Sequence, residues 1–277
     1  MILNKDIISS RNNAFVKWAV SLQDKKGRNE SNSFIAEGVK LSFEAIEAGL
    51  PLTHVLVAKS RTNQYLDKLK ESRCTEKYEK TEIVILEDDV FEKISTEKAP
   101  QGVISIIKYL DFFSDMDIIY KEDFFLPKDE KVIILCSVRD PSNIGAAIRS
   151  SVAFGTERII LTDDCADIYN PKTVRSAMGS MFRVKITRIS NLASLIDALK
   201  ENGRRVFAAE LTKNSVSLND MDIRSNDCFI IGNEGHGIPR EISDMCTNSV
   251  YIPISNKTES LNASVAAAII MWEQNKA

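Results

Sequence analysis

Residues 230–239 read IIGNEGHGIP, and the join between an apolar run and a glycine-rich turn there decides the fold. Phe229–Gly232 has the continuous apolar character of a strand buried on both faces, as in parallel sheets. Gly232, Gly235 and Gly237 then surround Glu234. Glycines at such a point admit a left-handed backbone and leave room for a flat ligand against the main chain. The spacing is G-x-x-G-x-G rather than G-x-G-x-x-G, and no long helix follows directly, so a Rossmann dinucleotide fingerprint is not supported. A tight turn with a structural glutamate is the plainer reading.

Two further strand-to-loop junctions have the same unusual polar and glycine content. Downstream, residues 252–270 read IPISNKTESLNASVAAAII, a short strand (Val250–Pro253), a polar loop and an alanine-rich helix over Asn262–Gln274. Ser260 or Asn262 can cap that helix, and for one of the two capping alone is a sufficient reading. Upstream, residues 140–155 read DPSNIGAAIRSSVAFG. Asn143 is placed to cap a helix from about Ile144 to Phe154, Gly145 allows close backbone approach, and Arg149 projects from the same helix start. An ordinary capped helix with a surface arginine fits these residues equally well.

Around these junctions strand and helix alternate. Val132–Val138, Ile159–Thr162, Arg183–Ile186 and Arg205–Ala209 read as strands, with helices at Pro171–Met181, Leu192–Asn202 and Pro239–Met245. That order predicts a mostly parallel sheet covered on both faces, with ligands gathering beyond the carboxyl ends of its strands. The first part of the chain reads as a smaller α/β layer. Ser10–Leu22 is expected to be a helix capped by Ser10, Phe34–Ala48 an amphipathic helix ended by Gly49, and His54–Ala58, Ile83–Leu86 and Val103–Ile107 strands. Residues 111–130 carry seven acids against Lys121 and Lys128 and read as a linker between domains 1–110 and 131–277.

The whole chain has 36 basic and 39 acidic residues among 277, a net charge of −3, which on average argues against a basic nucleic-acid binder. The average hides a segregation. Arg11, Lys25, Lys26 and Arg28 lie in a basic N-terminal stretch, and residues 172–188 hold Lys172, Arg175, Arg183, Lys185 and Arg188 with no acid. The bland reading is a solvated face; a one-sign run beside three polar junctions fits an anionic ligand better. Two histidines and five cysteines without a CxxC pair make a His-based triad or a metal site improbable, and Cys136 and Cys228 inside apolar runs read as buried thiols. No apolar run approaches bilayer length and no leader is recognisable, so a cytoplasmic protein is expected.

Read together, the three junctions resemble the SpoU/TrmH family of RNA 2′-O-ribose methyltransferases, of the SPOUT superfamily. Asn143, Gly145 and Arg149 match the family's N-x-G-x-x-x-R; Gly232 to Gly237 match G-N-E-G-x-G. Ile252, Pro253, Ser260, Leu261, Asn262 and Ser264 match I-P-x-…-S-L-N-x-S. Where the family usually has a glycine, this sequence has Asn256, a residue that tolerates left-handed backbone. More loosely, SSRN near the start, Phe34–Leu41 and Gln101–Val103 resemble the family's N-terminal substrate-binding domain, itself similar to small ribosomal RNA-binding proteins.

The resemblance implies a C-terminal α/β domain with a parallel sheet and a deep trefoil knot, beside the smaller N-terminal α/β domain. It implies S-adenosylmethionine held near Leu211, Thr212, Gly232, Asn233, Glu234, Gly237, Ile252 and Leu261. It implies a homodimer, with the alanine-rich terminal helix and Trp272 in the interface and the partner chain completing the site. Arg149 is the expected catalytic residue, with Asn143, Glu234, Ser260 and Asn262 fixing it and the ribose. RNA, ribosomal ahead of transfer RNA, is expected to bind through Arg11, Lys25, Lys26, Arg28, Lys172, Arg175 and Arg183. No metal and no membrane role is implied. The alternatives are a non-catalytic RNA-binding or ribosome-assembly protein on the same fold, an antibiotic-resistance rRNA methyltransferase, and a knotted enzyme acting on a base nitrogen.

Overall fold

A computed structural model describes residues 1–4, 6–71, 78–110, 113–116, 126–233 and 235–276. By its contacts the chain divides into two compact units: Met1–Leu110 with Asp167–Phe182, and Asp111–Ala166 with Arg183–Ala277. Most of the acidic stretch expected to be a linker lies outside the described residues.

The first unit is a mixed five-stranded sheet. Its strands are β1 (Ile2–Leu3), β2 (Ser33–Glu37), β3 (Leu52–Ala58), β4 (Glu82–Leu86) and β5 (Val103–Lys108), in the order β1-β4-β3-β5-β2. β1, β4 and β3 run parallel, whereas β5 is antiparallel to both β3 and β2. Helices α1 (Ala14–Ser21), α2 (Lys25–Ser31), α3 (Val39–Glu47), α4 (Thr62–Glu71) and α5 (Asp88–Ile94) complete the unit. Val16, Ala19 and Leu22 from the α1 region meet Phe91 and Ile94 of α5 and Leu56, Val84 and Ile104 of the sheet in one core.

Two helix boundaries here differ from the sequence reading. α1 is capped by Asn13, whose side chain accepts from the Phe15 N–H at 2.8 Å, and not by Ser10. The expected helix over Phe34–Ala48 is a strand followed by a helix. Phe34, Ile35 and Ala36 are all buried, and a short fully buried apolar run has no periodicity to separate strand from helix. Gly38, at φ 116°, makes the break between β2 and α3. The helix expected over Pro171–Met181 is shorter: α7 (Pro171–Ala177) packs on β2 and ends where Met178 and Gly179 both turn left-handed, at φ 48° and 78°.

The second unit holds an eight-stranded sheet in which every pair is parallel. Its strands are β6 (Phe113–Met116), β7 (Val132–Leu135), β8 (Arg158–Thr162), β9 (Lys185–Ile189), β10 (Val206–Ala209), β11 (Val216–Ser217), β12 (Cys228–Ile231) and β13 (Asn248–Tyr251), in the order β11-β13-β10-β12-β7-β8-β9-β6. The central strands VIIL and CFII are buried at every position, because helices cover both faces. Alternate residues Val132, Ile134, Cys228 and Ile230 join Leu195, Ile196 and Leu199 of α8 (Leu192–Glu201) in the main cluster. Helices α6 (Pro141–Ala153) and α10 (Ala263–Gln274) pack on each other, with α10 also against β12. A short helix, α9 (Arg240–Ser243), precedes β13. Burial pushes the Cys228 thiol up to about 11 and raises that of Cys136 above its ordinary value, as buried apolar surroundings do.

Candidate functional site

The carboxyl ends of β10, β12 and β13 and the start of α10 enclose a cavity of about 530 Å³. Leu211, Gly232, Asn233, Gly237, Ile252 and Leu261, all expected against the cofactor, line it. Thr212 does not. Its N–H donates to Ser215 Oγ at 2.7 Å, so it tightens the turn behind the wall. Glu234 lies outside the described residues. Leu211 is 77% exposed, a large apolar side chain offered to an occupant.

The glycine-rich loop is shaped by one close approach. A Cβ on Gly232 would lie 2.5 Å from the carbonyl carbon of Gly237 and 2.7 Å from its oxygen, so only glycine lets the loop fold back on itself. Gly237 takes φ 68°. Asn233 is the centre of the turn. Its Oδ1 accepts the N–H groups of Gly235 at 2.8 Å and His236 at 3.2 Å, its carbonyl accepts that of Gly237 at 2.8 Å, and its Nδ2 donates to the Ser137 carbonyl at 2.9 Å. The polar groups of Asn233 are thereby satisfied within the loop itself, which holds the turn rigid.

The other two junctions meet beside this loop. Asn262 caps α10, accepting from the N–H of Ser264 at 3.0 Å and of Val265 at 3.3 Å. Its Nδ2 donates to Asn143 Oδ1 at 2.9 Å. Asn143 is not the cap of α6. Asp140 holds that place, accepting from the Ser142 N–H at 2.8 Å, and Pro141 opens the helix. Asn143 is thus released to tie α6 to α10. Ser260 lines the cavity, and its carbonyl accepts from Thr258 Oγ1 at 3.2 Å. Arg149 is exposed, and among the described residues no hydrogen bond or ion pair holds its guanidinium; it is not among the lining residues. Asn256 is exposed and takes no left-handed angle, so the turn needs no glycine there.

Glu210 was not legible as a site residue. It follows β10 on the cavity wall, where Ser243 Oγ and Ser249 Oγ both donate to its Oε1, the latter at 2.8 Å. The only signal in sequence is an acid directly after an apolar strand, a signal shared by many loop residues.

The basic residues fare unevenly. Arg11, Lys25 and Lys26 are exposed, with Lys26 3.9 Å from Glu30. Arg28, expected to bind RNA, is instead 1% exposed. It donates to the carbonyls of Leu22 at 3.1 Å and Gln23 at 2.7 Å and pairs with Asp167 at 2.6 Å, so its charge is consumed inside the first unit. The run over 172–188 is divided between the units. Lys172 is exposed and Arg175 is paired with Glu97 in the first. In the second, Arg183 is exposed, whereas Lys185 pairs with the buried Glu130 at 2.9 Å. Among the described residues no group of His, Cys, Asp or Glu is assembled as for a metal ion, and no helix is long and apolar enough to cross a membrane.

The model of the SpoU rRNA Methylase family matches residues 130–272, about half of the chain. The chain belongs to the SpoU rRNA methylase family. That of the MRM3-like substrate binding domain matches residues 13–105. Among SpoU relatives, the chain is 30% identical over 268 residues to the 23S rRNA (guanosine(2553)-2′-O)-methyltransferase RlmP of Bacillus subtilis, covering 97% of this chain and 98% of that one. It is 28% identical to the 23S rRNA (uridine(2479)-2′-O)-methyltransferase of Streptomyces viridochromogenes, over 96% of this chain and 90% of that one. Among solved structures, an AdoMet-bound rRNA methyltransferase from Sinorhizobium meliloti superposes with a TM-score of 0.80 at 28% identity, covering 98% and 97% of the two chains. The fold is therefore the SpoU one: a parallel-sheet α/β methylase unit and a smaller α/β substrate-binding unit.

Proposed function

We propose that this chain transfers a methyl group from S-adenosylmethionine to a ribose 2′-hydroxyl of ribosomal RNA. The observation that carries the reading is the cavity at the ends of β10, β12 and β13, walled by the Gly232–Gly237 fold-back, in a chain that matches rRNA 2′-O-methyltransferases over nearly its whole length. Its size suits a nucleoside cofactor. The close backbone approach at Gly232 and the exposed Leu211 supply a flat, partly apolar cradle of the kind an adenine ring needs.

The cofactor supplies an already activated methyl group when bound. The chain has to place the 2′-oxygen in line with it and ease the loss of the hydroxyl proton. Arg149 is assigned to the RNA. A guanidinium keeps its proton in proteins, so its role is to orient the neighbouring phosphate or stabilise charge growing on the 2′-oxygen, not to act as base. The Asn143–Asn262 hydrogen bond fixes the start of α6 against the start of α10, and with it the level at which Arg149 stands. Ser260, on the cavity rim, is assigned to the ribose.

Because Arg149 is unheld and does not line its own cavity, the working enzyme is assigned as a homodimer in which a second copy completes each site. The outer face of α10 supports this. Val265 and Trp272, 45% and 49% exposed, lie with Ile269 on one apolar stripe at i, i+4 and i+7. The family's trefoil knot is placed in the loops after β10, β12 and β13, where the chain returns from β13 to lay α10 on α6. The first unit is assigned to holding RNA, with 111–130 as the linker and Arg11, Lys25, Lys26 and Lys172 as its exposed cations. The chain works in the cytoplasm.

Incubation with S-adenosylmethionine and either rRNA or tRNA, followed by nucleoside mass mapping, tests the reaction. The methyl group is expected to stay with the sugar after base release, on rRNA. Arg149→Ala is expected to lose at least a hundredfold in methyl transfer, about 2.7 kcal/mol, while cofactor binding stays unchanged. Methyl transfer by that variant at the wild-type rate defeats the assignment.

A further inference from the structure

The cavity that fits the cofactor has a one-sided charge. Its charged lining residues among those described are Glu210 and Glu259, with no cation. Lys213 and Lys257 lie close in sequence, yet neither lines it. The two acids differ in standing. Glu259 is exposed, so salt and water screen it. Glu210 is half-buried and fixed: both serine hydroxyls, from Ser243 of α9 and Ser249 of β13, donate to Oε1, and its own N–H donates to the Val250 carbonyl at 2.9 Å. Among the described residues no hydrogen bond or ion pair engages Oε2. A carboxylate held by two hydroxyls from separate elements, with an oxygen to spare on a cavity wall, is a prearranged negative pole.

We infer that Glu210, helped by Glu259, makes this site select the cationic methyl donor over the neutral demethylated product. The inference rests on the reading of the cavity as the S-adenosylmethionine site. The methyl donor carries a sulfonium, an ammonium and a carboxylate, net +1; S-adenosylhomocysteine carries only the last two, net zero. In the transfer the bond from the 2′-oxygen to the methyl carbon forms, the sulfur–methyl bond breaks with its electron pair left on sulfur, and the hydroxyl proton passes to solvent water. The cofactor thereby loses the charge to which Glu210 responds. The pole that helps capture the donor holds the spent product less strongly, so turnover itself loosens the ligand. A difference of one unit charge near a partly solvated carboxylate changes affinity by roughly tenfold.

Titration calorimetry on the full chain, at constant ionic strength, tests this with three probes: S-adenosylmethionine, S-adenosylhomocysteine and sinefungin, whose amine puts a positive charge near the sulfonium position. The wild type is expected to bind both cationic ligands more tightly than S-adenosylhomocysteine. Glu210→Gln, which keeps the size and an acceptor for the serines, is expected to shrink that preference by roughly tenfold with little change for S-adenosylhomocysteine. Glu259→Gln, at an exposed position with no folding risk, is expected to shrink it by less, and only at low salt. An unaltered preference in Glu210→Gln overturns the inference, as does equal weakening of all three ligands, which marks Glu210 as merely structural. A wild type that binds none of the three overturns the cofactor-site reading instead.

Discussion

Gly232→Ala loads the glycine-rich loop at its narrowest point. The new Cβ would stand 2.5 Å from the carbonyl carbon of Gly237, 2.7 Å from its oxygen and 2.8 Å from Ile238 Cγ1. Two of these three atoms are backbone, so no rotamer change relieves the overlap. Ordinary contact begins near 3.4 Å, and the Gly237 peptide must therefore retreat by about 0.9 Å. That retreat carries the Gly237 N–H away from the Asn233 carbonyl, now 2.8 Å distant, to beyond good hydrogen-bond length. Overpacking of this kind costs about 1–3 kcal/mol, and the weakened backbone bond about 1 kcal/mol more. For a unit of about 150 residues the sum lowers Tm by roughly 4–16 °C. The same movement displaces the cavity wall, and S-adenosylmethionine affinity is expected to fall at least tenfold, about 1.4 kcal/mol. Thermal unfolding and titration calorimetry read the two effects separately. Gly235→Ala is the control: its Cβ would meet nothing nearer than Asn233 Oδ1 at 3.4 Å, and its backbone is not left-handed. Wild-type Tm and cofactor affinity in Gly232→Ala, or equal damage from Gly235→Ala, would refute the geometry.

Arg28→Met is expected to lower the stability of the first unit by about 3–5 kcal/mol, because it strands the Asp167 carboxylate, the buried Leu22 carbonyl and the half-buried Gln23 carbonyl; denaturant titration measures it. RNA affinity of the folded protein should stay unchanged in that variant, whereas Lys25→Glu should weaken RNA binding and flatten its salt dependence. Asn262→Ala removes both the α10 cap and the tie to Asn143 and is expected to cost about 1–2 kcal/mol. In a double-mutant cycle with Asn143→Ala the two losses should fall short of adding, with a coupling of about 0.5 kcal/mol or more.

What could be read in sequence followed the strength of the local signal. The buried strands VIIL and CFII could be read because continuous apolar runs bounded by loops leave little choice. The β2–α3 break could not, since Phe34–Ala36 is buried all round and only the angle at Gly38 separates strand from helix. The α6 cap was misplaced by three residues because Asp140, Ser142 and Asn143 are all good caps, and Pro141 alone does not choose among them. β6 was hidden inside an acidic stretch that composition marks as linker, and only its pairing with β9 makes it a strand. Three glycines mark the loop that walls the cavity, but no residue type foretells that Glu210 would be fixed by hydroxyls from two later elements.

The charge distribution shows why composition could mislead in both directions. A net charge of −3 argued against RNA, and the one-sign run over 172–188 argued for it. Neither inference allows for cations being spent inside the fold. Arg28 is sealed beside Asp167, Arg204 donates to the carbonyls of Glu130 and Pro127, Lys185 and Arg158 share the Glu130 carboxylate, and Arg205 pairs with Asp227 at 2.7 Å. Each of these charges is engaged by a carboxylate or carbonyl within the fold, though the Lys185 side chain stays half exposed. Other cations, among them Arg11, Lys25, Lys26 and Arg183, stay exposed, and each such contact to a phosphate adds only a salt-sensitive increment. Charge totals therefore say little about which RNA this enzyme takes: the same residue type is sealed in the fold at Arg28 and open to solvent at Arg11, and only the packing around each separates a structural cation from one that can meet a phosphate.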